Sequence, residues 1–358
     1  LRRKCLSALC KMCGRHALLP RSLKIPLCYD RSGTPLCHGG YADVWKGEYQ
    51  GRQVAVKVLR VYYTSDFEKM TSKCCKEVVT WKNLHHPNVL PLLGVMMENT
   101  PPLFAMASEW MENGNINEFI KVHHDANRFE LLKDVAKGLI YMHSQMMIHG
   151  DLKGANILID RDCHACLADF GLLTIVSDPT SPTTPSSSIT AGTTQWMSPE
   201  LLDPDHFGVV DSQPTKESDS YALGMVILEV LSSRSPFRGV KDIVVMRMVI
   251  EGKRPKRPNG VEGMWFTDDL WQVLTLCWKP QRERRPSIEA ILKSLEQVSS
   301  TWKPPSLPVD EDVEMEVGED DWSLTTVGDS SGMTALQHLE LLITAVVELM
   351  LTSISHQN

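Results

Sequence analysis

His149-Gly150-Asp151-Leu152-Lys153-Gly154-Ala155-Asn156, followed downstream by Asp169-Phe170-Gly171, is the stretch on which the reading of this chain turns. It sets a carboxylate, an ammonium and an amide at short intervals, D-x-K-x-x-N, and then a second carboxylate ahead of a glycine. A carboxylate beside a lysine suits proton handling next to developing negative charge. An amide oxygen and a carboxylate suit a hard divalent cation. Any one of these residues alone reads as a solvated loop group; the ordered set does not.

Phosphoryl transfer calls for this inventory, because its catalysis is mostly positioning plus neutralisation of charge on the transferred group. The stretch resembles the catalytic loop and D-F-G segment of eukaryotic protein kinases, and the resemblance extends along the chain in both directions. It implies that Asp151 orients or accepts the proton of a substrate hydroxyl and that Lys153 neutralises the γ-phosphate of ATP. Asn156 and Asp169 would hold Mg2+, with Mn2+ as a substitute, and His149 would pack under Phe170 rather than act as a base. Removing the charge at Asp151, Lys57 or Asp169 would cost on the order of 3–5 kcal/mol of transition-state stabilisation.

Upstream, Val54-Ala55-Val56-Lys57 alternates as a half-buried strand does. Taken alone, Lys57 would be a solvated strand end; within the resemblance it grips the ATP phosphates and pairs with Glu77 on the following helix. Cys37-His38-Gly39-Gly40-Tyr41-Ala42-Asp43-Val44 stands where a glycine-rich loop belongs. Gly39, Gly40, Val44 and Ala55 become nucleotide contacts, while Cys37 and Ala42 replace usual glycines. Strands are expected over Pro91–Met97 and Leu103–Glu109, with a Pro-Pro turn between them. Ser108 through Asn115 then matches the hinge: Glu109 and Met111 would meet adenine through their backbone, Ser108 would guard the deeper pocket, and Glu118 would meet the ribose or remain a solvated helix acid. Phe129, Leu132, Ala136, Leu139 and Ile140 recur at helical spacing over Asn127–Gln145, which is core packing.

Gly150 departs from the pattern. Regulated kinases place an arginine there to receive a phosphorylated activation loop, so activity is expected not to depend on loop phosphorylation by that route. The loop itself, Thr174 through Thr190, is rich in hydroxyls and prolines. Lys153 in D-L-K-G-A-N and the segment Gly192–Glu200 resemble the serine/threonine form. The same resemblance makes Thr193 a bridge between Asp151 and Lys153, Glu200 the buried partner of Arg285, and Asp219 an anchor for the catalytic-loop backbone.

The 358 residues, 42% apolar, suffice for an α+β two-lobe kinase fold over residues 25–302: a small β-rich N-lobe with one main helix (25–109), a hinge (109–114) and a larger helical C-lobe (115–302). A last periodic helix is expected over Pro286–Val298. Flanking this domain are a basic segment (1–24, net +7), an acidic proline-containing linker (303–334) and an apolar C-terminal segment (335–358). Residues 303–358 carry −10, which leaves −4 on the catalytic body and argues against nucleic acid as a partner. The acidic run Asp310–Asp321 reads as a solvated spacer, with docking onto the basic segment as the sharper alternative.

Leu1–Leu19 presents Leu1, Cys5, Leu9 and Met12 on one helical face, which suits a helix packed on the small lobe, or a severed linker, better than a helix lying on a membrane. The chain begins on leucine and is read as part of something longer. Ala335–Ile354 is apolar but interrupted by Gln337, His338, Glu340 and Glu348, so a partner-seeking amphipathic helix or a poorly ordered tail is preferred to a membrane span. Ten scattered cysteines fit reduced thiols in the cytoplasm, or in the nucleus, better than a disulfide framework. Cys10 and Cys13, with Cys5 and His16, lack the spacing of a closed zinc site, and Cys163–Cys166 is accounted for by strand packing in the hairpin before Asp169.

Two functions from different classes follow. One is a serine/threonine protein kinase of the tyrosine-kinase-like group, resembling expanded fungal members and acting on protein substrates in intracellular signalling, its oligomeric state open. The other is a pseudokinase serving as an interaction module, suggested by Cys37, Ala42 and Gly150. Intact Lys57, Glu77, Asp151, Lys153, Asn156 and Asp169 weigh against it.

Overall fold

Six strands build one antiparallel sheet: β1 (Cys28–Tyr29), β2 (Cys37–His38), β3 (Ala42–Tyr49), β4 (Arg52–Leu59), β5 (Leu92–Asn99) and β6 (Pro102–Glu109). Their order is β1-β3-β4-β6-β5, with β2 added to β3. The computed structural model describes residues 2–30, 34–38, 42–59, 64–99, 102–170, 193–209 and 213–302. Every described residue falls in one compact unit, Leu1–Pro305. Gly39, Gly40, Gly171, the Thr174–Thr190 loop, the acidic run and the Ala335–Ile354 segment lie outside the described residues.

The period-2 alternation of β4 gives the sheet two faces. Val54, Val56 and Val58 are buried with Leu103 and Ala105, under Leu27, Tyr29, Trp45 and Met96. Lys57 lies on the opposite face, its Cα register pairing it with Val44 on β3 and Met106 on β6. The β5–β6 ladder runs further than expected. Glu98 pairs with Leu103 and Asn99 with Pro102, because a proline is tolerated at the first position of a strand, where its missing N–H costs the ladder nothing.

The N-terminal helix α1 (Arg2–His16) packs against α2 (Thr64–Lys82). The expected face is the wrong one: Cys5, Leu9 and Met12 are exposed, while Cys13 and Gly14 are buried. Small side chains win here because they let two helices approach closely. The Ser72 hydroxyl donates to the Gly14 carbonyl, a Cβ on Gly14 would collide with the Lys76 stem, and Cys10 Sγ lies 3.5 Å from Thr80 Oγ1. Residues 72, 76 and 80 therefore form the α2 stripe that meets α1. The chain continues onto the sheet, where the Ile25 N–H donates to the Val95 carbonyl at 2.9 Å.

The C-lobe is helical: α3 (Ile116–Val122), α4 (Arg128–Ser144), α5 (Pro199–Leu202), α6 (Lys216–Ser232), α7 (Asp242–Ile250), α8 (Gly260–Gly263), α9 (Asp268–Cys277) and α10 (Ile288–Thr301). Asn127 caps α4 and Ser287 caps α10, each accepting a first-turn N–H on its side chain, which places both helices close to their expected bounds. Every residue of α6 from Ser218 to Ser232 is buried, the signature of a helix at the centre of its lobe. Among the described residues no helix is long and apolar enough to cross a membrane.

Between α4 and α5 the hairpin β7 (Ile157–Ile159) and β8 (Ala165–Leu167) sets the catalytic loop on one side and Asp169 on the other. The Leu90 N–H donates to the Leu167 carbonyl at 2.9 Å, and the Leu167 N–H donates to the Asn88 carbonyl at 3.0 Å. These bonds tie the hairpin to the segment leading into β5.

Candidate active site

The loop 149–156 owes its shape to α6. Asp219, in the first turn of that helix and 1% exposed, accepts the His149 N–H at 2.9 Å and the Gly150 N–H at 3.0 Å, and its Oδ2 meets His143 Nε2 at 2.8 Å. A buried carboxylate is tolerated when such partners satisfy it. Gly150 has φ +78°, a left-handed backbone that a side chain would strain, and a Cβ there would come within 3.1 Å of the Pro214 ring. His149 is fully buried, burial pushes its pKa down despite the surrounding carboxylates, and its Nδ1 accepts the Asp151 N–H at 3.3 Å. Its ring meets that of Phe170 edge-on, with centroids 6.0 Å apart.

Asp151 is held by two side chains, Asn156 and Lys153. Asn156 Nδ2 donates to its carbonyl at 2.7 Å and to its Oδ2 at 2.9 Å, and Lys153 Nζ lies 3.2 Å from the same Oδ2. Its other oxygen, Oδ1, is buried without a hydrogen-bond partner. An acceptor left open in this way can take a proton from a hydroxyl brought to it. Lys153 Nζ also donates to Thr193 Oγ1 at 2.7 Å, so Thr193 reaches the loop through Lys153.

Lys57 Nζ forms an ion pair with Asp169 Oδ1 at 2.8 Å, joining the sheet of the small lobe to the hairpin of the large one. Desolvation raises the Asp169 pKa, but Lys57, with His149 and Lys153 behind it, outweighs that effect and holds the carboxyl below its usual range. The Asp169 side chain keeps 41% of its exposure, and its backbone sits at φ +58°, a sparsely populated conformation of the kind found at functional sites. With Nδ2 spent on Asp151, Asn156 offers Oδ1 as its accepting end, and the contact of Asp169 with Lys57 is made through Oδ1. Two oxygen donors and no thiol or imidazole fit a hard divalent cation that takes its remaining ligands from phosphates or water. In keeping with so small a set, no group of three His, Cys, Asp or Glu among the described residues has metal-binding geometry.

Of the remaining expected residues, Gly39 and Gly40 lie outside the described residues, and the others take the following places. Val44 on β3 is the register partner of Lys57, and Ala55 lies two residues before Lys57 on β4. Glu109 ends β6 paired with Val54, Ser108 is buried beside Ala55, and the Met111 carbonyl accepts the Gly114 N–H at 3.2 Å. Glu118 has a local task as the third residue of the α3 capping box, reaching back toward the Asn115 N–H. Glu77 is half-buried on α2, one helical turn before Trp81. Sequence reasoning passed over Trp81, which meets Phe170 edge-on at 5.4 Å and donates to the Leu90 carbonyl at 2.7 Å. Its spacing of four from Glu77 was the available signal. Glu200 and Arg285 form a bidentate buried pair, both contacts at 2.6 Å.

A sequence profile described as protein tyrosine and serine/threonine kinase matches residues 31–295. Among curated proteins, the probable serine/threonine-protein kinase drkD of Dictyostelium discoideum is 29% identical over 79% of this chain and 21% of its own length. Probable serine/threonine-protein kinase drkA of the same organism is 30% identical over 75% of this chain and 40% of its own length. Serine/threonine-protein kinase CTR1 of Arabidopsis thaliana is 26% identical over 79% and 33%. The chain thus matches only a fifth to two-fifths of the length of these relatives.

Proposed function

Because the chain belongs to the protein tyrosine and serine/threonine kinase family, we propose that it transfers the γ-phosphoryl group of ATP to serine and threonine hydroxyls of protein substrates in intracellular signalling. The observation that carries this reading is the open acceptor of Asp151, Oδ1, set beside Lys153 and Asn156 in one buried cluster.

Asp151 takes the hydroxyl proton at Oδ1 as the oxygen turns on phosphorus. Lys153, steadied by Thr193, faces the charge that develops on the transferred group, and Lys57 orients the phosphates from the sheet side. Asn156 and Asp169 would hold Mg2+ or Mn2+, which when bound supplies neutralisation of phosphate charge. Gly39, Gly40, Val44, Ala55, Glu109, Met111 and Glu118 complete the nucleotide site on this reading, and Glu77 supports Lys57. The catalytic domain is assigned to residues 25–302, the substrates to the cytoplasm, and the serine/threonine preference to Lys153 within D-L-K-G-A-N. The reading departs from a pseudokinase because all six chemically required groups are present.

The test is magnesium-dependent phosphorylation of a generic acceptor such as myelin basic protein, followed by phosphoamino-acid analysis. Phosphoserine and phosphothreonine are expected, with a loss of about 10²-fold or more in Asp151→Asn. A folded wild type with no more turnover than Asp151→Asn would defeat the proposal.

A further inference from the structure

The stripe of α1 that hydropathy marks as inward is the one the fold leaves out. Cys5, Leu9 and Met12 follow one another at helical spacing and so form a single ridge. All three are exposed, Leu9 by 38% and Met12 by 63%. Where the helix ends, Ala17 turns the backbone at φ +49° and the next two leucines separate: Leu19 joins the core, while Leu18 stays 61% exposed. The helix is nonetheless firmly seated. Its opposite side holds Gly14 against Ser72 and Lys76, and Cys10 beside Thr80. Small residues thus fasten α1 to the small lobe, and its larger apolar ones face outward.

Charge indicates what they face. Residues 1–24 contain seven Lys and Arg and no Asp or Glu, giving +7 against −4 on residues 25–302. Lys11 and Arg15, one turn apart, are exposed beside the ridge, and Arg21 and Lys24 are exposed where the chain leaves the helix. An apolar ridge bordered by cations alone is complementary to an anionic surface with hydrocarbon just beneath it, which is what a leaflet rich in acidic phospholipid presents. Shape agrees with charge. The ridge is convex and α1 is about 22 Å long, so its few apolar side chains offer far less than the roughly 800 Å² per partner of a stable protein interface. Entry into the headgroup boundary asks for a depth of only about 5–10 Å.

We propose that the outward face of α1 docks the protein on anionic membrane lipid, with Leu9 and Met12 entering the headgroup boundary while Lys11 and Arg15 meet the lipid phosphates. Packing on the small lobe and lying on a membrane are compatible here, because they use opposite sides of one helix. Docking by this face needs no spanning segment, and among the described residues no helix is long and apolar enough to be one.

Co-sedimentation of the full chain with lipid vesicles tests the proposal, and because it is read without ATP its outcome stands apart from the kinase reading. The wild type is expected to bind vesicles of phosphatidylcholine and phosphatidylserine at a molar ratio of about 7:3 and to leave pure phosphatidylcholine vesicles unbound. Binding weakens as salt rises from about 0.05 to 0.5 M. Leu9→Gln/Met12→Gln lowers the affinity about tenfold or more, and Lys11→Gln/Arg15→Gln lowers it about 30-fold. Both pairs are exposed, so the melting temperature stays at the wild-type value and lost docking is not mistaken for lost folding. Full binding by Leu9→Gln/Met12→Gln would mean attraction by charge alone and overturns the proposal. A wild type that ignores the acidic vesicles overturns it as well. In that case a dimer in solution that Leu9→Gln/Met12→Gln dissociates gives the face to a second copy of the chain, and binding of polyglutamate that Lys11→Gln/Arg15→Gln abolishes gives it to an acidic polypeptide.

Discussion

Replacing Asp219 with asparagine changes almost no volume and inverts the hydrogen bonding at the entry to the catalytic loop. The carboxylate accepts from His149 N, Gly150 N and His143 Nε2, with Gly150 on Oδ1 and the other two on Oδ2. An asparagine has one accepting oxygen. If that oxygen faces His149, the NH₂ group faces the Gly150 N–H; if it faces Gly150, the NH₂ group opposes the His149 N–H. Either way one buried donor is orphaned, at about 1–3 kcal/mol, and the charge assistance on the others is lost. A total of about 2–4 kcal/mol corresponds to a fall in Tm of roughly 3–7 °C for a domain of about 280 residues. Gly150 directly precedes Asp151, so the displaced backbone moves the base; about 2 kcal/mol transmitted to the transition state lowers kcat roughly 30-fold. Thermal unfolding and phosphorylation of a generic acceptor measure the two effects separately. An Asp219→Asn protein that melts within 2 °C of wild type, on the same per-kcal scale, and keeps its kcat would refute the reasoning, because the carboxylate would then not be what holds the loop.

Other consequences are equally measurable. Arg285→Leu strands Glu200 in the interior and should cost about 3–5 kcal/mol by chemical denaturation, whereas the Glu200→Leu/Arg285→Leu double variant should recover much of it; a double variant as unstable as the single one contradicts the pairing argument. Lys57→Met and Asp169→Asn should each lower kcat by about 10²–10³-fold at nearly unchanged Tm, and a Tm loss as large as that of Arg285→Leu would make the pair a structural strut instead. Burial depresses the pKa of His149, and of His86, below the ordinary histidine value. Below the unfolded pKa of about 6.5 the unfolded chain therefore binds more protons than the fold, so stability present above that pH is lost as pH falls. Stability measured from pH 7.5 to 5 should decline below about 6.5, offset in part by His164, whose pKa its hydrogen bond to Asp134 raises; a flat profile in His164→Asn would show that His149 charges freely in place.

The catalytic-loop residues were legible because their chemistry is compressed into eight neighbouring positions, and Asp169 because Phe170 and Gly171 accompany it. Helix ends were legible where a capping side chain marks them, as at Asn127 and Ser287. What stayed hidden depends on distant pieces of chain meeting. Nothing near Glu229 in the sequence announces Asn117, Gly154 and Trp196, since the residues that bond it are scattered from α3 to the segment before α5. The outward face of α1 was misread because an apolar stripe was expected to point inward, whereas the contact with α2 is made by Cys10, Cys13 and Gly14, chosen for size rather than hydropathy. Glu118 shows the reverse case: a carboxylate with an expected ligand partner also has a structural use one turn away.

That N-terminal helix has a bearing on how the protein should be produced. Residues 2–25 precede the segment matched by the family profile, yet Cys13, Leu19 and Leu23 share a buried cluster with Cys74, Cys75 and Val78 of α2. Cys75 is an inert thiol there, its pKa pushed up to about 12 chiefly by burial, with nearby Cys13 adding to it. A recombinant fragment trimmed to residue 31 would strip that covering and hand solvent a greasy, alkylatable flank on the helix that carries Glu77.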